Sequence, residues 1–132
     1  MRRRVRKQVL MNYLEQVWNP DMLTVYGIKQ CDTVRKALKW LGQRGVDHTF
    51  HDFRSDGLSA ELLQDWLDSD FSDRLVNRRS TTWRQLSEEQ RQSEGESLRD
   101  LLCEFPTLIK RPVIVTDRIV AVGFNPKELE GL

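Results

Sequence analysis

Two cysteines in 132 residues are too few for a disulfide scaffold, and the chain is long enough to bury a core without one. A reducing cytoplasm is therefore the expected setting. No apolar run approaches the length that crosses a bilayer, and no uninterrupted apolar segment of signal-peptide length follows the start, so neither a membrane anchor nor export is expected. Excess charge is missing too: 21 Lys and Arg against 20 Asp and Glu leave a net +1. Such a balance offers no broad field to gather nucleic acid or an anionic membrane. Internal repeats, low-complexity tracts and interdomain linkers are also absent from the sequence. What is left is one domain, expected to be a monomer.

Charge is nevertheless uneven at the start. Residues 1–22 carry Arg2, Arg3, Arg4, Arg6 and Lys7 against Glu15 and Asp21, leaving 16 basic and 18 acidic residues for the remaining 110. This stretch reads as a basic, weakly structured extension, with Met11 or Met22 as the working start and Trp18 as a docking residue. An Arg-rich, acid-poor mitochondrial leader is the competing reading.

From residue 23 the patterning is that of an α/β domain. Leu23 to Ile28 is a short β-branched and aromatic run, read as a buried strand. Val34, Ala37, Leu38 and Leu41 then repeat at helical spacing, with Arg35, Lys36, Lys39 and Gln43 on the other side and Gly42 or Gly45 to end the helix. Val46 to Phe53 predicts a second strand, and Ser59 starts a helix carrying Leu62, Leu63, Trp66 and Leu67. Strand, helix, strand, helix implies a parallel βαβ unit with a right-handed crossover. A polar, mostly helical insertion follows at about 72–105, with a capping box at Ser87–Gln90 and an apolar stripe of Leu98, Leu101 and Leu102. Pro112–Thr116 and Ile119–Gly123 predict a hairpin, and Asn125 and Pro126 open a last helix whose Glu128 stands three residues after the cap.

Cys31 stands where the first strand gives way to the first helix. A thiol reacts as its thiolate, and a helix N-terminus offers unpaired N–H groups and the positive end of the macrodipole. The same N–H groups receive oxyanions, so the loop from Gly27 to Thr33, with Lys29 and the Thr33 hydroxyl, suits an anionic substrate. The competing reading of Cys31 is a small core residue. Far along the chain, Arg111 precedes Pro112 at the entrance to an apolar strand, where a guanidinium could be aimed at the thiol and the X–Pro bond could adopt cis.

YGIKQCDT from Tyr26, IKRPV from Ile109 and GFNP from Gly123 together resemble the arsenate reductase/Spx (ArsC-like) family of thioredoxin-fold proteins, most nearly its YffB-like branch. The resemblance runs from about Leu23 to Leu132. It implies a thioredoxin-like mixed sheet, ordered βαβα–ββα with helices on both faces, a redox thiol at Cys31, and a cis peptide between Arg111 and Pro112. It further implies glutathione-linked chemistry with no bound cofactor, glutathione being the co-substrate. Cys31-Asp32-Thr33-Val34 lacks a second cysteine, and glutathione resolves a mixed disulfide in its place.

Arsenate reductases of this group use three arginines; Arg111 matches one, but Asn77 and Asn125 stand at the other two positions, which disfavours arsenate reduction. The contrasting reading is an Spx-like regulatory module that binds a protein such as RNA polymerase, with no DNA-reading helix evident. Lys29, Thr33, Arg78 and Pro112 are the candidate contacts for substrate or glutathione, beside Cys31 and Arg111 as catalytic residues. The run Asn77–Trp83 either offers Arg78 to carboxylates or caps and solvates the insertion, and the sequence leaves both open. Cys103 reads as a small core residue. A metal site is not expected: residues 48 and 51 of one strand point His48 and His51 to opposite faces, and the compact ligand pairs of zinc sites are missing.

Overall fold

The computed structural model describes residues 22–130; the basic extension, the alternative start at Met11 and the docking role of Trp18 fall on residues 1–21, outside that range. Strand β1 (Leu23–Gly27) lies in the middle of a four-stranded sheet of order β2-β1-β3-β4. It pairs in parallel with β2 (His48–Asp52) and antiparallel with β3 (Val113–Val115), which pairs antiparallel with β4 (Ile119–Val122). The β1–β2 crossover is helix α1 (Asp32–Gln43). This is the mixed α/β sheet that the pattern and the resemblance imply.

Because side chains alternate along a strand, the register sorts the core into two layers. Val25 lies opposite Ile114, and Ile114 opposite Ala121; with Leu23 they face Leu41 of α1 and Leu129 of α6 (Pro126–Leu129). Tyr26, Val113 and Val122 form the adjacent register row. They face the other way, onto Leu63 and Trp66 of α2 (Ala60–Leu67) and Leu101 and Leu102 of α5 (Gly95–Glu104). Helices thus cover both faces.

The stretch read as mostly helical is more broken than its composition suggests. After α2 come a 3-10 turn (Ser72–Arg74), α3 (Thr81–Gln85), α4 (Glu88–Arg91) and α5, then a second 3-10 turn (Pro106–Leu108). Serines set this rhythm. Ser80 Oγ accepts from Trp83 N, and Ser87 forms the full capping box with Gln90, so a new helix starts before the preceding one has run two turns. Between the first 3-10 turn and α3, Val76 forms an isolated antiparallel bridge with Ile109: Asn77 N donates to Leu108 O at 2.7 Å, and Lys110 N to Leu75 O at 2.7 Å. The insertion is therefore tied to the segment that leads into β3.

Two smaller differences have plain causes. The hairpin turn without glycine closes through Thr116 N to Arg118 O at 3.0 Å, with a register shift between Ile114 and Val115. At the last helix Asn125 Oδ1 caps Lys127 N as the sequence implies. Glu128, placed for a capping box, instead receives Arg74 Nη1 at 3.0 Å and Nη2 at 3.3 Å, while Nη2 also donates to Val122 O. That bidentate pair ties α6 to the insertion.

Candidate active site

The strand-to-helix turn that carries Cys31 is held by three separate devices. Cys31 N donates to Ile28 O at 3.0 Å, closing the turn. Beneath it Asp52, the last residue of β2 and only 9% exposed, receives Lys29 N on Oδ2 at 3.0 Å and Arg54 N and Ser55 N on Oδ1 at 2.7 and 3.2 Å. Burial raises the Asp52 pKa, but these amides and the Arg54 charge outweigh it, and the carboxyl titrates below its ordinary value. On the solvent side Arg35 reaches back to Lys29 O at 3.3 Å and Gln30 O at 3.0 Å.

The fourth constraint is steric. A Cβ at Gly27 would lie 2.6 Å from Val34 Cγ2, so β1 and the first turn of α1 approach more closely than any other residue permits. Val34 is fully buried. Cys31 is the N-cap of that helix, in extended backbone, and is half-buried against the larger core layer.

Arg111 arrives from the opposite end of the chain, joined to buried Pro112 by a cis peptide. Its Nη1 donates to Thr107 O at 3.2 Å and Ile109 O at 3.3 Å, and Thr107 is itself held by a 2.7 Å hydroxyl contact with Thr82 of α3. Burial pushes the Cys31 thiol up; the Val34 amide, the Arg111 guanidinium and the Thr33 amide, in that order, and then the Arg111 charge pull it down, and the net is below the ordinary thiol value. The Cys31 side chain makes no formed cap hydrogen bond. The amides and the guanidinium favour the anion, which is the reactive form.

With that geometry in place, comparison with known proteins is informative. A model of the ArsC family matches residues 26–132. The chain belongs to the ArsC family. An uncharacterized protein of Haemophilus influenzae is 50% identical over 111 residues, covering 83% of this chain and 96% of that protein. The solved structure of a YffB protein superposes with a TM-score of 0.76 at 36% identity, covering 83% and 96% of the two chains. The global transcriptional regulator Spx of Listeria innocua is 27% identical over 110 residues, 82% of this chain and 84% of the regulator.

Within this ArsC-family fold, the residues singled out from sequence fall into two groups. Cys31, the Thr33 amide and Arg111 meet at the start of α1, and Pro112 is the buried residue that follows Arg111 across the cis peptide. Thr33 contributes through its amide, and its side chain is exposed; Lys29 is also exposed, at the rim of the same turn. Arg78 stacks over the Trp83 ring at 5.5 Å, and no contact brings it to the thiol. Asn77 Oδ1 accepts from Arg79 N at 3.1 Å, so both asparagines at the expected arginine positions serve local backbone. Cys103 is free and packs partly buried against the larger core layer. His48 Nδ1 contacts Val46 O and His51 Nε2 contacts Gly57 O, and no cluster of metal-ligating side chains exists among the described residues. No described helix is long and apolar enough to cross a membrane.

Sequence reasoning missed Asp52, Arg35, Thr82 and Thr107. An aspartate closing a parallel strand is a recognisable signal for binding the neighbouring loop's amides. The threonine pair has no such local signature.

Proposed function

We propose that the chain is a glutathione-dependent thiol reductase with Cys31 as its single nucleophile, acting in the cytoplasm as a monomer. The observation that carries this reading is a half-buried thiol with a lowered pKa at the N-terminus of α1, beside a guanidinium anchored independently of it. The Cys31 thiolate attacks the glutathione sulfur of a mixed disulfide between glutathione and a substrate thiol. A bond forms between Cys31 Sγ and glutathione, and the substrate leaves as a thiolate that takes up a proton. A second glutathione thiolate then attacks the Cys31 adduct, releasing glutathione disulfide and regenerating the Cys31 thiolate. Arg111 and the Thr33 and Val34 amides offset the negative charge on sulfur throughout. Lys29 and the Thr33 hydroxyl, exposed at the rim, are the polar groups offered to the glutathione carboxylates.

The test is incubation with glutathione disulfide followed by intact mass measurement, together with turnover of a glutathionylated small thiol. One glutathione adduct, removed by excess glutathione and absent in Cys31→Ser, is expected. A protein that takes up no adduct, with Cys31 alkylated at the rate of a free cysteine, refutes the reading. Arsenate supplied with glutathione and glutaredoxin is expected to give no turnover, because Asn77 and Asn125 present no cations.

A further inference from the structure

The insertion carries an uneven charge that the thiol chemistry does not use. Residues 77–92 together with Lys110 and Arg111 hold six basic residues against Glu88 and Glu89, whereas the rest of 22–130 holds ten basic against sixteen acidic. Arg78, Arg79, Arg84 and Arg91 are all exposed. Among the described residues the ion pairs are Arg35 with Asp32, Arg74 with Glu128 and Arg99 with Asp100, so none of the four has a carboxylate partner there. Three of the four are held instead by backbone and ring: Arg84 Nη2 to Arg79 O at 3.2 Å, Arg91 to Trp83 O at 3.2 Å and Arg84 O at 2.8 Å, and Arg78 on Trp83. Carbonyl bonds fix Arg84 and Arg91 without an ion pair; Arg78 and Arg91 border a concavity that Asp68, Asp73 and Glu94 also line, so Arg79 and Arg84 are the cations of this face clear of acidic neighbours in that hollow. Ordering entropy is thus partly spent before any anion arrives.

This face is tied by hydrogen bonds to the segment that positions Arg111. Thr82, next to Trp83, contacts Thr107, whose carbonyl receives Arg111, and Asn77 pairs with the Leu108 backbone. The number of cations decides what fits. A glutathione molecule carries two carboxylates and one ammonium, a net charge of about −1 at neutral pH, and so offsets little of this positive charge, whereas a longer acidic chain matches it. A single-stranded nucleic acid needs successive aromatic platforms; here Trp83 stands alone and Arg78 already covers it.

We propose that the α3–α4 face docks an acidic segment of a protein whose glutathionylated cysteine is thereby delivered to Cys31. This rests on the reductase reading and names its substrate class. Two synthetic peptides with a central glutathionylated cysteine, one flanked by glutamates and one by lysines, test it. The kcat/KM of the full chain is expected to favour the acidic peptide by on the order of ten-fold at low salt, the preference shrinking as salt screens it. Arg79→Glu with Arg84→Glu is expected to abolish or invert that ratio, with circular dichroism confirming the fold. Equal kcat/KM for the two peptides in the unaltered protein, or a preference indifferent to salt, overturns the proposal without needing any variant. Binding to Cys31→Ser protein, followed by fluorescence anisotropy, separates the two claims. Salt-sensitive binding of the acidic peptide without turnover by the unaltered protein supports the docking face and removes the reductase. An oligonucleotide that displaces the acidic peptide at lower concentration overturns the assignment of partner.

Discussion

Gly27→Ala should damage the thiol without touching it. The added Cβ would stand 2.6 Å from Val34 Cγ2 and 3.2 Å from Cγ1, against 3.4 Å or more for ordinary contact, so the two backbones must part by about 0.8 Å. Val34 cannot swing aside: it is fully buried, and a β-branched residue in a helix has essentially one rotamer. The start of α1 must lift instead, carrying Cys31 with it, while Arg111 stays bonded to the Thr107 and Ile109 carbonyls. Overpacking of this kind costs about 1–3 kcal/mol. The sulfur also moves from its charge partner, so the pH midpoint of iodoacetamide alkylation should rise toward the ordinary thiol value of 9.0. Each unit of that rise is worth about 1.4 kcal/mol and, at any pH below the midpoint, lowers the thiolate fraction about ten-fold. Adding Val34→Ala removes the clash, and the double variant should regain the alkylation midpoint while losing core stability of its own. A Gly27→Ala protein that melts normally and keeps the low midpoint would refute the close-approach argument.

Two further substitutions probe the clamps on either side of the sulfur. Asp52→Asn preserves shape but removes the charge that three amides surround, and should cost about 1–3 kcal/mol at neutral pH in urea unfolding. Because the folded-state pKa of Asp52 is depressed, its contribution is complete above the ordinary aspartate value of 3.8 and is lost as pH falls through the folded value. The gap between Asp52→Asn and the unaltered protein should therefore close below that pH; a gap constant with pH would show that the carboxylate charge is not what holds the turn. Arg111→Lys keeps a cation but cannot donate from one planar group to both carbonyls and the anion. Its alkylation midpoint should lie above that of the unaltered protein and below that of Arg111→Ala, and equality with the unaltered protein would reduce Arg111 to a generic charge.

The strands, the amphipathic first helix and the thiol at its start were legible because each is written locally. Leu23, Val25, Val34, Ala37 and Leu41 obey periods of two and of three to four residues, and all are buried. Ser59, Ser87 and Asn125 announce their helices and cap them. The insertion was legible only as helix-rich, because the bridge at Val76 owes its conformation to partners at 108–110, some thirty residues away. Asp52 was read as part of a strand, yet its side chain works for a loop 23 residues earlier. Glu128 kept the spacing of a capping box and lost to a bidentate arginine that only the fold supplies. In each case a long-range contact outweighed a local preference worth about 1 kcal/mol.

The same distinction bears on how the site works. A thiolate at a helix start needs its amides, its cation and its backbone fixed relative to one another, because charge stabilisation in a partly buried site depends steeply on separation. Here those groups come from four places: the β1–α1 turn, the end of β2, the segment before β3, and α3 acting through Thr82 and Thr107. The insertion is therefore no appendage. It sets the carbonyl that holds Arg111, and it bears the arginines proposed to draw in the substrate, so one element governs both the reactivity of the sulfur and the chemistry of what reaches it. Loosening α3 by Thr82→Val should accordingly change the alkylation midpoint of a cysteine 51 positions away in sequence, an effect that no purely local account of Cys31 produces.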